Sequence, residues 1–176
     1  MDPFAKALDF TLNWEGRIVE NVPDDPGGLT KWGITQRDYD LYRSMYGAIS
    51  TSVADATPDE IRLIYFIRYW KAMDCDKLPY PVALAIFDCA VNVGVSQTAK
   101  FLTAILGIPL GSDWLQAAKI YSEKHSPETL AAMLNKRRSQ FYKSLAVSRP
   151  VLRKFLPGWL NRVVAVNDAV FDVSTA

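Results

Sequence analysis

The chain has 176 residues, of which 49% are apolar, 12% aromatic and 22% charged, with a formal net charge of +1. That length and composition suit a globular domain with a real core and exclude a disordered chain. No apolar run is long enough to cross a bilayer, and no basic region followed by an apolar stretch opens the sequence, so neither a membrane span nor a secretory signal is expected.

In chain order, Asp2-Pro3 reads as a cap with proline at the first helical position, and Phe4, Leu8 and Leu12 recur at a helical period up to Glu15, where Gly16 can end the helix. The stretch that follows is rich in Asp, Pro, Gly and Thr and reads as a loop. Thr35 caps a helix carrying Tyr39, Leu41 and Tyr42, ended by Gly47. Thr57-Pro58-Asp59-Glu60 is a capping box opening a helix through Ile61, Ile64, Tyr65 and Trp70.

After Pro79 and Pro81 the run VALAIFDCAVNVG is nearly all apolar and predicts a core helix, separated by Gly94 and Ser96 from a second one ending at Gly107. Asp88 and Asn92 lie four apart on that core helix and share one face. Ser112 is expected to cap a helix through Trp114 and Ile120. Ser126-Pro127-Glu128 opens a long amphipathic helix, and a last helix runs roughly from Gly158 to Val170. The sum is an all-α fold of seven or eight helices around a buried central helix.

Charge is unevenly placed along the chain. Residues 1–60 hold eleven acidic and five basic side chains, whereas residues 129–162 hold none acidic and eight basic. A basic C-terminal face with Lys136, Arg137, Arg138, Lys143, Arg149, Arg153 and Lys154 is expected, suited to an anionic surface. It lacks a nucleic-acid reading module, so no nucleic-acid partner is expected. Cys75 and Cys89 read as structural residues, with a disulfide allowed but not demanded, and His125 as a surface residue. No metal-ligand spacing or phosphate loop occurs, and no metal or cofactor is expected.

The candidate chemistry centres on Glu15. Unpaired carbonyls at a helix C-terminus disfavour an ionised carboxylate, and partial burial acts the same way. A carboxyl group that keeps its proton can act as general acid on a glycosidic oxygen. Asp24 and Asp25 offer a second carboxylate for water activation or cation stabilisation, Gly27 and Gly28 permit close approach of a polymer, and Thr30 can orient a water. Trp32 and Tyr65 are candidate sugar-stacking residues, and Asn92 is either a buried hydrogen-bonder or a sugar-binding group facing the cleft.

Trp14 to Gln36 resembles the signature of glycoside hydrolase family 108, carried here by Glu15-Gly16, Asp25-Pro26-Gly27-Gly28 and Thr30-Lys31-Trp32-Gly33-Ile34-Thr35-Gln36. Further along, Tyr69-Trp70, Phe87-Asp88 with Val91-Asn92-Val93-Gly94, and Gly158-Trp159-Leu160-Asn161-Arg162-Val163 resemble other elements of that family in the same order. Arg17 and Ile18 depart from the family's Gly-Tyr, Glu20 to Asp25 carries one extra residue, and Leu106 to Trp114 departs from its C-terminal peptidoglycan-binding segment.

The resemblance implies a lysozyme-like fold, with residues 1–107 as catalytic region and 108–176 as a helical region packed on it. It implies an N-acetylmuramidase of phage or prophage type that cuts between N-acetylmuramic acid and N-acetylglucosamine in bacterial peptidoglycan. Glu15 is its catalytic acid, Asp24 or Asp25 and Thr30 are its partners, and Trp32, Gln36, Tyr65 and Asn92 contact substrate.

Such an enzyme is expected to be a monomer made in the cytoplasm, to be released by a holin or secretion partner, and to act in the periplasm or wall. The competing expectations are a lytic transglycosylase on the same bond and a non-catalytic wall-binding or secretion-assisting protein.

Overall fold

The computed structural model describes residues 2–15, 19–21 and 29–172. The chain forms two compact units, Met1–Arg68 and Tyr69–Ala176.

The first unit opens with helix α1, Pro3–Glu15, whose start is tied by the Phe4 amide donating to Asp2 Oδ1 at 3.3 Å. Phe4, Ala7, Leu8 and Thr11 are its buried residues, the three- and four-residue spacing of a single helical face. Glu15 is its last residue, as the sequence suggested. Beyond it comes an element that the loop reading did not foresee, a three-stranded antiparallel sheet of β1 (Val19–Asn21), β2 (Leu29–Lys31) and β3 (Ile34–Thr35) in that order. Strands of three, three and two residues are too short to show an alternating pattern, and the Asp, Pro and Gly between the first two dominate the local composition.

Helix α2, Gln36–Met45, starts where expected, with Thr35 accepting from the Asp38 amide. Helix α3, Pro58–Tyr65, carries the full capping box between Thr57 and Glu60. Replacing Thr57 with Ala removes one half of that box and is expected to cost about 1 kcal/mol, read from urea unfolding. The expected continuation to Trp70 is helical but not α-helical: the chain passes into a π-helical stretch, Phe66–Lys71. Such wide turns concentrate at functional sites.

The second unit is built on α4 (Tyr80–Val93), α5 (Val95–Leu106), α6 (Trp114–Lys124), α7 (Pro127–Ser148) and α8 (Leu156–Phe171). Helix α4 is buried without a break from Val82 to Ala90, because α5, α7 and α8 all pack on it. Gly107, in the left-handed region at φ 68°, ends α5. The cap of α6 is Asp113 and not Ser112: its side chain accepts from the Gln116 amide at 3.0 Å. Ser126 caps α7 as expected. Eight α-helices among the described residues, with α4 enclosed by its neighbours, make the all-α, lysozyme-like class expected from the sequence.

The basic face needs one correction. Arg138 is fully buried, and its Nη1 lies 2.6 Å from Asp88 Oδ2, while Arg162 Nη2 lies 2.7 Å from Asp88 Oδ1. Its place on the inner stripe of α7, with Leu134, Asn135 and Tyr142, turns it into the core. Lys136, Arg137, Lys143, Arg149, Arg153 and Lys154 remain exposed. Cys75 and Cys89 are both free and buried, and burial pushes both thiols up from their ordinary range.

Candidate active site

Strands β2 and β3 are joined by a two-residue turn, since Lys31 pairs with Ile34 and leaves Trp32 and Gly33 between them. Both central residues have positive φ, 50° at Trp32 and 73° at Gly33, the geometry that matches a hairpin's right-handed twist. Gly33 adopts it without steric cost, whereas a bulky residue held in a sparsely populated region costs about 1–3 kcal/mol. The surroundings hold it there. The Tyr65 hydroxyl donates to the Trp32 carbonyl at 2.7 Å, and Lys31 Nζ donates to the carbonyls of Ala54 and Ala56 at 2.6 and 2.9 Å.

This turn meets Glu15. A methyl group on Gly33 would sit 2.8 Å from Glu15 Oε2 and 2.9 Å from Tyr65 Oη, closer than such atoms approach. The end of α1, the hairpin turn and the end of α3 therefore converge on one carboxyl group. Glu15 as a residue is half-buried, so its carboxyl is placed by the fold.

The other expected site residues fall in several places. Thr30 is half-buried in the middle of β2, its backbone paired with Glu20 on one side and Thr35 on the other. Trp32 is half-buried, with the Lys31 ammonium 5.9 Å from its ring centre. Tyr65 is only 1% exposed, so its ring is core and its hydroxyl is what faces the turn.

Gln36 is committed to the fold. Its Nε2 donates to Asp40 Oδ1 and the Thr51 carbonyl, both at 2.8 Å, and its Oε1 accepts from the Val53 amide at 2.7 Å. Asn92, in the second unit, accepts a hydrogen bond from the Tyr142 hydroxyl through Oδ1. Asp24 and Asp25 lie outside the described residues. Among the described residues, no three His, Cys, Asp or Glu side chains gather as metal ligands would.

Residues 8–94 match the family model described as Glycosyl hydrolase 108. These residues form a glycosyl hydrolase 108 segment. The family 108 segment contains Glu15, Gly33 and Tyr65, and it ends at Gly94, the residue that stops α4. Residues 108–164 match a second model, described as a Predicted Peptidoglycan domain, so the departure between Leu106 and Trp114 leaves the C-terminal segment recognisable.

Ten solved chains match this one, among them SagA of Brucella abortus, at 27% identity, a TM-score of 0.77, and coverage of 98% of this chain and 96% of that one. No curated protein matches. The two family matches mark the chain as a peptidoglycan-related glycoside hydrolase. No helix among the described residues is long and apolar enough to cross a membrane.

Gly33 and the Trp32 carbonyl are the parts of this site that the sequence reading passed over. Trp-Gly between two short β-prone stretches is a hairpin signal, but a weak one beside Asn-Gly or Asp-Gly.

Proposed function

We propose that this chain is an N-acetylmuramidase that hydrolyses the β-1,4 bond between N-acetylmuramic acid and N-acetylglucosamine, with Glu15 as general acid. The observation that carries this reading is the convergence of three elements on the carboxyl of the half-buried Glu15, which holds it at one place. Glu15 gives its proton to the leaving oxygen as the glycosidic bond breaks, and charge develops on the ring as an oxocarbenium-like state. Asp24 or Asp25 supplies the second carboxylate, and Thr30, two residues before the turn, orients the attacking water. Trp32, the neighbour of the Gly33 that meets the Glu15 carboxyl, contacts sugar, and so, within the second unit, does Asn92; Gln36 serves by fixing the loop through Val53.

Residues 1–107 form the catalytic region and 108–176 the helical region that supports wall binding. The protein acts as a monomer on the wall after release by a holin or secretion partner.

The test is digestion of purified peptidoglycan with mass spectrometry of the released sugars. Reducing muramic ends are expected. Anhydro ends would instead assign a lytic transglycosylase, and no release would leave a wall-binding protein.

The six exposed basic residues of the C-terminal segment should bind the anionic wall by charge. Reversing Lys136, Arg137 and Lys143 to Glu is expected to weaken cosedimentation with peptidoglycan at low salt about tenfold, and to flatten its salt dependence, because exposed charges are screened within about 10 Å at 0.1 M salt.

A further inference from the structure

We propose that Tyr65 is a positioning residue for Glu15: its hydroxyl clamps the Trp32-Gly33 turn against the Glu15 carboxyl. This rests on the reading of Glu15 as general acid and goes beyond it, because it gives Tyr65 a task other than sugar stacking.

Four observations carry the assignment. At 1% exposure, the Tyr65 ring has no face to offer a sugar. Its hydroxyl hydrogen is spent on the Trp32 carbonyl at 2.7 Å, the backbone group between the two positive-φ residues. Trp32 holds a strained conformation at φ 50°, and a strained turn relaxes unless something over-determines it. Finally, the one position that a Gly33 side chain would occupy is closed by both groups, Glu15 Oε2 at 2.8 Å and Tyr65 Oη at 2.9 Å from it, so carboxyl and hydroxyl crowd the same face of the turn.

The consequence is mechanical. The turn forms one wall of the Glu15 carboxyl, and Tyr65 keeps that wall from moving. Tyr65 is also the last residue of α3 before the π-helical stretch, so the change of helix type lies directly after the residue whose hydroxyl has to reach the turn. Without the hydroxyl, the Trp32 carbonyl loses its donor, the turn relaxes, and the carboxyl loses its fixed approach to the glycosidic oxygen. Of the proposed sugar contacts only Trp32 lies in this turn, and the rest of the polymer is held elsewhere. The clamp therefore acts mainly on the chemical step.

The experiment compares wild type, Tyr65→Phe, Gly33→Ala and Glu15→Gln on purified peptidoglycan, with rates taken over a range of substrate concentrations. Each kcat is expressed per folded molecule, from circular dichroism of the same samples. Tyr65→Phe is expected to lower kcat about 10–100-fold with KM within about twofold, since a displacement near 1 Å at the reacting groups is enough for such a loss. Gly33→Ala, which forces its methyl into the carboxyl, is expected to lose at least as much.

Wild-type kcat in Tyr65→Phe would overturn the inference, and so would a loss that vanishes on correction for unfolded protein or one that falls on KM. If Glu15→Gln is inactive in the same series, the general-acid reading stands whatever Tyr65→Phe shows. If Glu15→Gln works at the wild-type rate, the general-acid reading fails and takes the inference with it.

Discussion

Glu15→Gln is expected to lower kcat on peptidoglycan about 10²–10⁴-fold, the range that general acid catalysis contributes, with KM close to wild type. Gln matches Glu in shape, so it can lie against Gly33 as the carboxyl does, and the slot beside the turn is neither emptied nor overfilled. What Gln lacks is a transferable proton. The sugar oxygen must then leave without protonation, and that penalty appears only in the transition state, so it falls on kcat. Glu15 is the terminal residue of α1, where few backbone hydrogen bonds depend on it, and the melting transition should stay in place. Clearing of peptidoglycan by the Gln variant at the wild-type rate would end the proposal that this carboxyl is the acid.

The parts of the fold that could be read in advance are those decided within a few residues. Thr35, Thr57 and Ser126 each cap a helix by bonding an amide three residues ahead, a rule that needs no tertiary contact. Where two cap-forming residues stand side by side, as Ser112 and Asp113 do, the rule cannot choose between them, and the structure chose Asp113. Glu15 was readable for the same reason: it is a carboxyl at a helix end before glycine and aspartate.

Its supports were not. The bond from Tyr65 to Trp32 joins residues 33 apart, and it depends on a Trp in a conformation that residue rarely adopts. The buried ion cluster is the larger case. Asp88 and Arg162 were each noted, on motifs 74 residues apart, but nothing local says that they meet. Arg138 sits in a run of exposed cations, and only its place on the α7 stripe distinguishes it from Lys136 and Arg137.

That cluster supports the second large expectation, that Asp88→Asn destabilises the second unit by about 3–5 kcal/mol in urea unfolding. Asp88 is wholly buried and lies between two guanidinium groups, with Arg138 fully buried and Arg162 5% exposed. Arg162 approaches it through both Nε, at 2.9 Å from Oδ1, and Nη2, while Arg138 also donates through Nε to the Tyr142 hydroxyl at 2.6 Å. Removing the carboxylate leaves two cations in the core with no anion, and the desolvation already incurred is no longer offset.

The same cluster fixes how the difference depends on pH. Burial pushes the Asp88 carboxyl up, but Arg138 and Arg162 outweigh it and hold the group below its ordinary value of 3.8. A carboxyl lowered on folding contributes its full stability above the unfolded value and loses it as the pH falls through the folded one. The gap between wild type and Asp88→Asn should therefore be constant near neutrality and narrow only below about pH 4, the ordinary range of an aspartate. Unfolding curves that coincide at neutral pH would show that the cluster contributes nothing to stability, and a gap that narrows well above pH 4 would mean that the arginines do not hold Asp88 ionised.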